Sequence, residues 1–286
     1  MAGAGLLILK RRIKSITSTQ KITKAMGLVA TSKLRKTRVQ LALNEKYYNH
    51  FNKIMADAVT NVEDYNLYTH GNKSDKKLYI ILASDSGLCG GFNSNVVGEA
   101  ANMLNKDREN SVVISVGQKG KMYLKRYKYD TAAEFVDISD VPTLDEAAMV
   151  TNKALDMYTN GEVGEVYVVY TKFFSAVRQV VEVDKMLPIE KAESTTEGGT
   201  GNVFIKIEPA AEDLINEVAG LHFKQRLLNH MINAKASEQG SRMQAMDGAT
   251  KNADDLLDAL KIRYNRERQG VITQEISEIV GGAEAL

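Results

Sequence analysis

Tryptophan is absent from this chain of 286 residues, cysteine occurs once and proline three times. The lone Cys89 excludes an internal disulfide and suits a reducing compartment. Proline matters here by its placement. Pro142, Pro188 and Pro209 leave the first 141 residues and the last 77 without any. Inside a helix proline removes a hydrogen bond and clashes with the preceding turn, at a cost of ~3 kcal/mol. Each terminal arm is therefore free to form one continuous helix. Over residues 210–286 such a helix would run about 115 Å at 1.5 Å per residue, several times the radius of a compact domain. It reads as a shaft. Long apolar runs are missing too: residues 6–9 form the longest near the start, far below the ~20 that span a bilayer. That run is also short for a signal-peptide core, and no small-residue cleavage site follows it.

Acidic residues are absent from positions 1–44, which hold ten Lys and Arg and so carry a charge of +10. Residues 210–286 hold nine basic and twelve acidic side chains, although the whole chain sums to only +1. Such segregation marks interaction surfaces rather than fold. The basic arm suits either nucleic-acid phosphates or the acidic C-terminal arm and acidic partners. No aromatic precedes Tyr47, so stacking on single strands is unsupported.

The N-terminal arm shows a helical rhythm at Ile13, Ile16, Ile22, Met26, Val29 and Leu34. Its stripe is thin, with too little apolar surface for the helix to stand alone. Residues 78–83, 112–117, 133–138, 165–171 and 178–185 read as strands, and 204–208 as a last edge strand stopped by Pro209. Residues 93–104, 119–127 and 144–160 read as helices between them. This alternation predicts an α/β domain with a largely parallel sheet. Residues 194–202 are a loop by composition. The expected division is an N-terminal coiled-coil helix over 1–59, an α/β domain over 60–209 and a C-terminal coiled-coil helix over 210–286.

In the C-terminal arm Met246, Ala249, Ala253, Leu256, Leu260 and Tyr264 are spaced as a coiled-coil seam. Antiparallel pairing counted from the domain edges sets Met26 level with Met243. The last 18 residues then outrun the shorter arm, carrying Val271, Ile272, Ile276, Ile279 and Val280.

The loop of residues 84–93, Ser-Asp-Ser-Gly-Leu-Cys-Gly-Gly-Phe-Asn, lies after a strand and before a helix. Phosphates bind at that place in α/β proteins. The loop lacks GxGxxG spacing and the P-loop lysine, so the other reading is a tight turn whose glycines supply positive φ. His50, His70, His222 and His230 show no metal-ligand spacing and read as single surface side chains. Asp254, Asp255 and Asp258 read as a solvated helix face. No HExxH or GxSxG is present, and no catalytic constellation emerges.

Residues 237–286, the segment RRIKSITSTQKITKAMGLVATSKLRK at 11–36 and the loop at 84–93 together resemble the γ subunit of the F-type rotary ATP synthase, bacterial type. The resemblance implies an antiparallel coiled coil of the two arms with an α/β domain at its base. It implies a non-catalytic rotor that couples ion flow through a membrane c ring to conformational cycling of a ring of α and β subunits. It also implies an ε subunit as partner, and neither cofactor nor metal, nucleic-acid binding nor insertion into the membrane. Met26 matches the shaft position facing the catalytic subunit's lower lever. Arg268, Gln269 and Thr273 match positions that bond to loops gripping the shaft, and Arg266 suits the same task. Glu208 matches a position near the c ring, with Phe204 and Ile207 where aromatic neighbours are often found. Ser86 stands where the family commonly carries Arg. The inserted regulatory cysteine pair of the chloroplast version is absent, and no transit peptide is evident. The implied location is the cytoplasmic face of a bacterial cell membrane, as a peripheral part of the complex. The alternative is a nucleotide- or nucleic-acid-binding α/β protein with a coiled-coil dimerisation module.

Overall fold

The computed structural model of the chain describes residues 2–60, 65–190 and 211–284. The proline-free arms are the helices α1 (Ala2–Thr60) and α6 (Ala211–Glu284). Between them lie α2 (Leu67–His70), β1 (Lys77–Leu82), α3 (Phe92–Leu104), β2 (Ser111–Val116), α4 (Gln118–Arg126), β3 (Ala133–Phe135), α5 (Leu144–Thr159), β4 (Glu165–Phe173) and β5 (Gln179–Leu187). The edge strand expected at 204–208 and the loop at 194–202 lie outside the described residues. The chain forms two compact units, Met1–Ala30 with Arg242–Leu286, and Thr31–Ser241.

The first unit is an antiparallel helix pair. Thr23 Oγ1 meets Thr250 Oγ1 at 2.8 Å, Gln20 donates to Asp254, and a Cβ on Gly27 would lie 3.6 Å from Met246 Cβ. These contacts correct the expected register. Thr23 would have faced Met246; it meets Thr250, one helical turn further along. The seam residues differ as well. On α1 the covered positions Leu9, Ile13, Ile16, Gln20, Thr23, Gly27 and Ala30 follow a heptad spacing, whereas Ile22 and Val29 are 59% and 54% exposed. On α6 the seam is Met246, Thr250, Ala253, Leu257, Leu260 and Tyr264, with Leu256 outside it. A heptad seam follows position, and here it passes through small and polar residues that a search for apolar side chains steps around. Leu257→Ala should therefore cost about 2 kcal/mol, the low end for a buried leucine, read as lost hydrogen-exchange protection over 246–264. Leu256→Ala should stay within about 0.5 kcal/mol.

The second unit carries a five-stranded sheet in the order β3-β2-β1-β4-β5. β1 pairs in parallel with β2 and β4, and β5 is antiparallel to β4. Alternation along β1 sorts its side chains between two layers. Leu78, Ile80 and Leu82 join a core with Val150, Ala154 and Tyr158 of α5, Met55 and Val59 of α1, and Phe223, Leu227 and Met231 of α6. Tyr79 and Ile81 face Val96, Val97, Ala100 and Leu104 of α3 and Leu124 of α4. Helices thus cover both faces, which a mostly parallel sheet requires.

Candidate functional site

Strand order reverses between β1 and β4, and in open α/β sheets ligands bind beside such a point, at the carboxyl ends of the strands. Here the chain itself fills that place. Ser237 Oγ of α6 donates to the carbonyl of Thr171 at 3.0 Å, and the Phe173 amide donates to Asn233 Oδ1 at 3.3 Å. Lys235 Nζ stands 3.6 Å from Asp85 and 3.5 Å from Glu238. Asp85 also accepts the backbone N–H groups of Gln118, Asp137 and Ile138. The space left among Leu82, Ala83, Val116, Ile138, Met231 and Lys235 is about 10 Å³. That is room for one water, against the several hundred Å³ of a ligand pocket.

The loop at 84–93 is closed on itself. Asn93 accepts from the Ser84 amide at 3.0 Å, and its Nδ2 donates to Ser84 Oγ at 2.7 Å and reaches Cys89 Sγ at 3.2 Å. Ser84 Oγ donates onward to the Ser86 carbonyl. Gly90 has a φ of 56°, so one of the loop's glycines does serve a left-handed turn. Gly117 has a φ of 95°, and a Cβ there would lie 2.4 Å from the Ala83 carbonyl oxygen, so no other residue fits that crossing. Beside the loop lies a cleft of about 350 Å³ lined by Leu88, Asn93, Lys119, Met122, Tyr123 and Arg126. It offers cations and apolar surface, and Cys89 beside it is buried. Among the described residues no three His, Cys, Asp or Glu stand close enough to hold a metal ion.

The expected shaft contacts fall on the surface of the helix pair. Met26 is half-buried, one position from the seam residue Gly27. Arg266, Arg268, Gln269 and Thr273 are all exposed on α6. Thr273 Oγ1 donates back to the Gln269 carbonyl, which leaves the hydroxyl as an acceptor. Met26 is not brought near the other four. A Cβ on Gly5 would lie 3.4 Å from Glu267, and Met26 is about 30 Å further along the coil at 1.5 Å per residue. Past that last pairing Ile272, Ile276, Ile279 and Val280 are exposed. Phe204, Ile207 and Glu208 lie outside the described residues.

Two histidines expected at the surface are buried. His222 Nε2 donates to Asn52 Oδ1 at 2.7 Å, with the Phe51 ring edge-on to it. His230 lies 2.6 Å from Asp184, stacked on Tyr170. Arg226 grips the same carboxylate through Nε at 3.0 Å and Nη2 at 2.6 Å. Burial alone would raise the Asp184 carboxyl, but the His230 hydrogen bond and Arg226 outweigh it and hold it down at about 2. Burial pushes the His230 imidazole below its ordinary value, and its Nδ1 has no hydrogen-bond partner among the described residues. The neutral ring orphans only a lone pair there, whereas the protonated ring would orphan an N–H. The sequence signal for this cluster was faint: Arg226, His230, Asn233, Ser237 and Ser241 recur at steps of four and three in α6.

A family model described as ATP synthase matches residues 6–286. The ATP synthase gamma chain of Clostridium kluyveri is 57% identical over 288 residues, with all of both chains covered. The chain belongs to the ATP synthase gamma family. The gamma chain of Clostridium botulinum is 52% identical, covering 100% of this chain and 99% of its own. Among solved structures, a central stalk and c ring of the Tetrahymena thermophila mitochondrial ATP synthase has a chain that aligns with a TM-score of 0.63 at 25% identity. That alignment covers 80% of this chain and 99% of that one. A rotor chain of the Euglena gracilis enzyme aligns at 0.71 over 94% and 99%, at 19% identity, a likeness of fold. No described helix is long and apolar enough to cross a membrane.

Proposed function

We propose that this chain is the central-stalk rotor of an ATP synthase, turning with a membrane c ring and driving a surrounding ring of α and β subunits through their catalytic states. It is a non-catalytic subunit: the chemistry belongs to its partners. The observation that carries the reading is the end of α6, where the helix outruns α1 and leaves Ile272, Ile276, Ile279 and Val280 in water. Full burial of each would contribute about 1.5–3 kcal/mol, so a surrounding sleeve is strongly favoured. Nucleotide binding by this chain itself is not favoured, because α6 fills the strand-end crevice.

In this reading Met26 faces the lever of a catalytic subunit, and Arg266, Arg268, Gln269 and Thr273 bond to loops of the sleeve. Among the described residues Arg266 and Arg268 have no acidic partner, so both planar guanidinium groups are available for carboxylates or carbonyls. Phe204, Ile207 and Glu208 belong to the foot that meets the c ring, and ε binds the α/β part. The division at 1–59, 60–209 and 210–286 then separates shaft, foot and shaft by task. The clostridial relatives favour the cytoplasmic face of the cell membrane as the location.

Arg268→Ala and Gln269→Leu test the reading. Both positions are exposed, so the free chain should melt within about 2 °C of the parent. A charge-assisted hydrogen bond contributes about 1.5–3 kcal/mol, so affinity of the Arg268 variant for the isolated α–β ring should fall ~10-fold or more. Equal loss of folding in the free chain would assign both residues an internal role instead.

A further inference from the structure

Five polar side chains of α6 point at the antiparallel pair β4–β5. Arg226 and His230 hold Asp184, Asn233 accepts from the Phe173 amide, Ser237 donates to the Thr171 carbonyl, and Ser241 donates to Gln179 Oε1 at 3.0 Å. At 100° per residue these five fall within about 80° of one another around the helix. All ten residues from Met231 to Gly240 are buried, so the helix is enclosed on every side at this level. On another side Asn44 of α1 bonds to Asn229 and Gln225, and on a third Lys235 faces Asp85.

We propose that this polar stripe is a rotational key: it fixes the angle of α6 about its own axis on the sheet, at the place where torque passes from the α/β unit into the helix. The inference rests on the rotor reading. Apolar contact is non-directional and would let a helix creep about its axis under load. Hydrogen bonds tolerate little displacement. Turning the helix by 30° moves a polar atom ~5 Å from its axis by about 2.6 Å, which carries a 2.6–3.3 Å bond beyond hydrogen-bonding range. Six such bonds from five side chains, at different heights, resist rotation together, and the bidentate Arg226–Asp184 pair is the most rigid of them.

The test measures torsional stiffness in the whole rotary complex. The chain is assembled with α and β subunits on a surface and carries a bead at Lys106→Cys, an exposed position of the α/β unit. Angular variance is read while catalysis is stalled. The variant Asp184→Leu/Arg226→Met/His230→Leu/Ser237→Ala/Ser241→Ala replaces Asp184 and every stripe side chain but Asn233 by apolar ones, a change that a folded protein usually tolerates. It should assemble and hydrolyse ATP, with variance raised about twofold or more, whereas Ser241→Thr should match the parent. Should the fivefold variant fail to assemble, Ser237→Ala/Ser241→Ala is read the same way and should still raise the variance. Unchanged variance in an assembled stripe variant overturns the key. A parent chain that neither assembles with the ring nor turns would overturn the rotor reading itself, which separates the two failures.

Discussion

Asp184→Ala should lower the thermal midpoint of the free chain by roughly 10 °C, more than any other single polar substitution described. The carboxylate takes three hydrogen bonds from α6, two from Arg226 and one from His230. The Arg226 side chain is only 18% exposed, so water can do little to replace the lost partner. Removing one member of a buried charge pair costs about 3–5 kcal/mol, mostly from the charge left unpaired. Each kcal/mol moves the midpoint of a unit of this size by about 2–4 °C. The same argument predicts that Asp184→Leu with Arg226→Met and His230→Leu loses far less, because no charge remains to be stranded. Calorimetry on both proteins decides the point. A single-variant loss under about 2 °C would mean that the cluster is already hydrated.

The terminal helices were legible because proline is a hard constraint, and its absence over two long arms leaves helix open throughout. The α/β sheet was legible from apolar strands alternating with amphipathic segments, down to the glycine turn after β1. The coil seam was not. Gln20, Thr23, Gly27 and Ala30 hold seam positions on α1, and none of them announces itself by hydrophobicity. Ile22 and Val29 do, yet they face water in this chain, as a shaft that meets other subunits requires. The register missed by one turn because it was counted from assumed helix ends, while side-chain fit at Thr23–Thr250 and Gly27–Met246 sets it. The buried cluster was hidden for another reason. Asp184 is far from Arg226 and His230 in sequence, and only the pairing of β5 with β4 brings it under α6. The partner-contact residues came from the resemblance, since exposed Arg268 and Gln269 carry no spacing signal of their own.

Acidification should produce the second large effect, beginning above the range in which carboxylates titrate. Burial, with Arg226 adding to it and Asp184 opposing, pushes the His222 imidazole down to about 4. From α1 the neutral Asn52 and Phe51 face it. An unfolded histidine titrates near ~6.5. Between these values the unfolded chain binds the proton and the folded chain refuses it, so stability is complete above pH ~6.5 and falls as the pH drops toward about 4. For His222 alone the loss approaches roughly 3 kcal/mol at the acid end. His230, also lowered by burial, adds in the same direction. The thermal midpoint at pH 4.5 should therefore lie roughly 6–10 °C below that at pH 7. In His222→Gln/His230→Gln an amide replaces each donor without titrating, toward Asn52 and toward Asp184, and the midpoint should stay nearly level over that interval. Below pH ~4 both proteins should weaken together as Asp184 and other paired carboxylates take up protons. An equal slope between pH 6.5 and 4.5 in parent and double variant would show that other groups govern the acid response, and that neither buried imidazole is held neutral by the packing of α6.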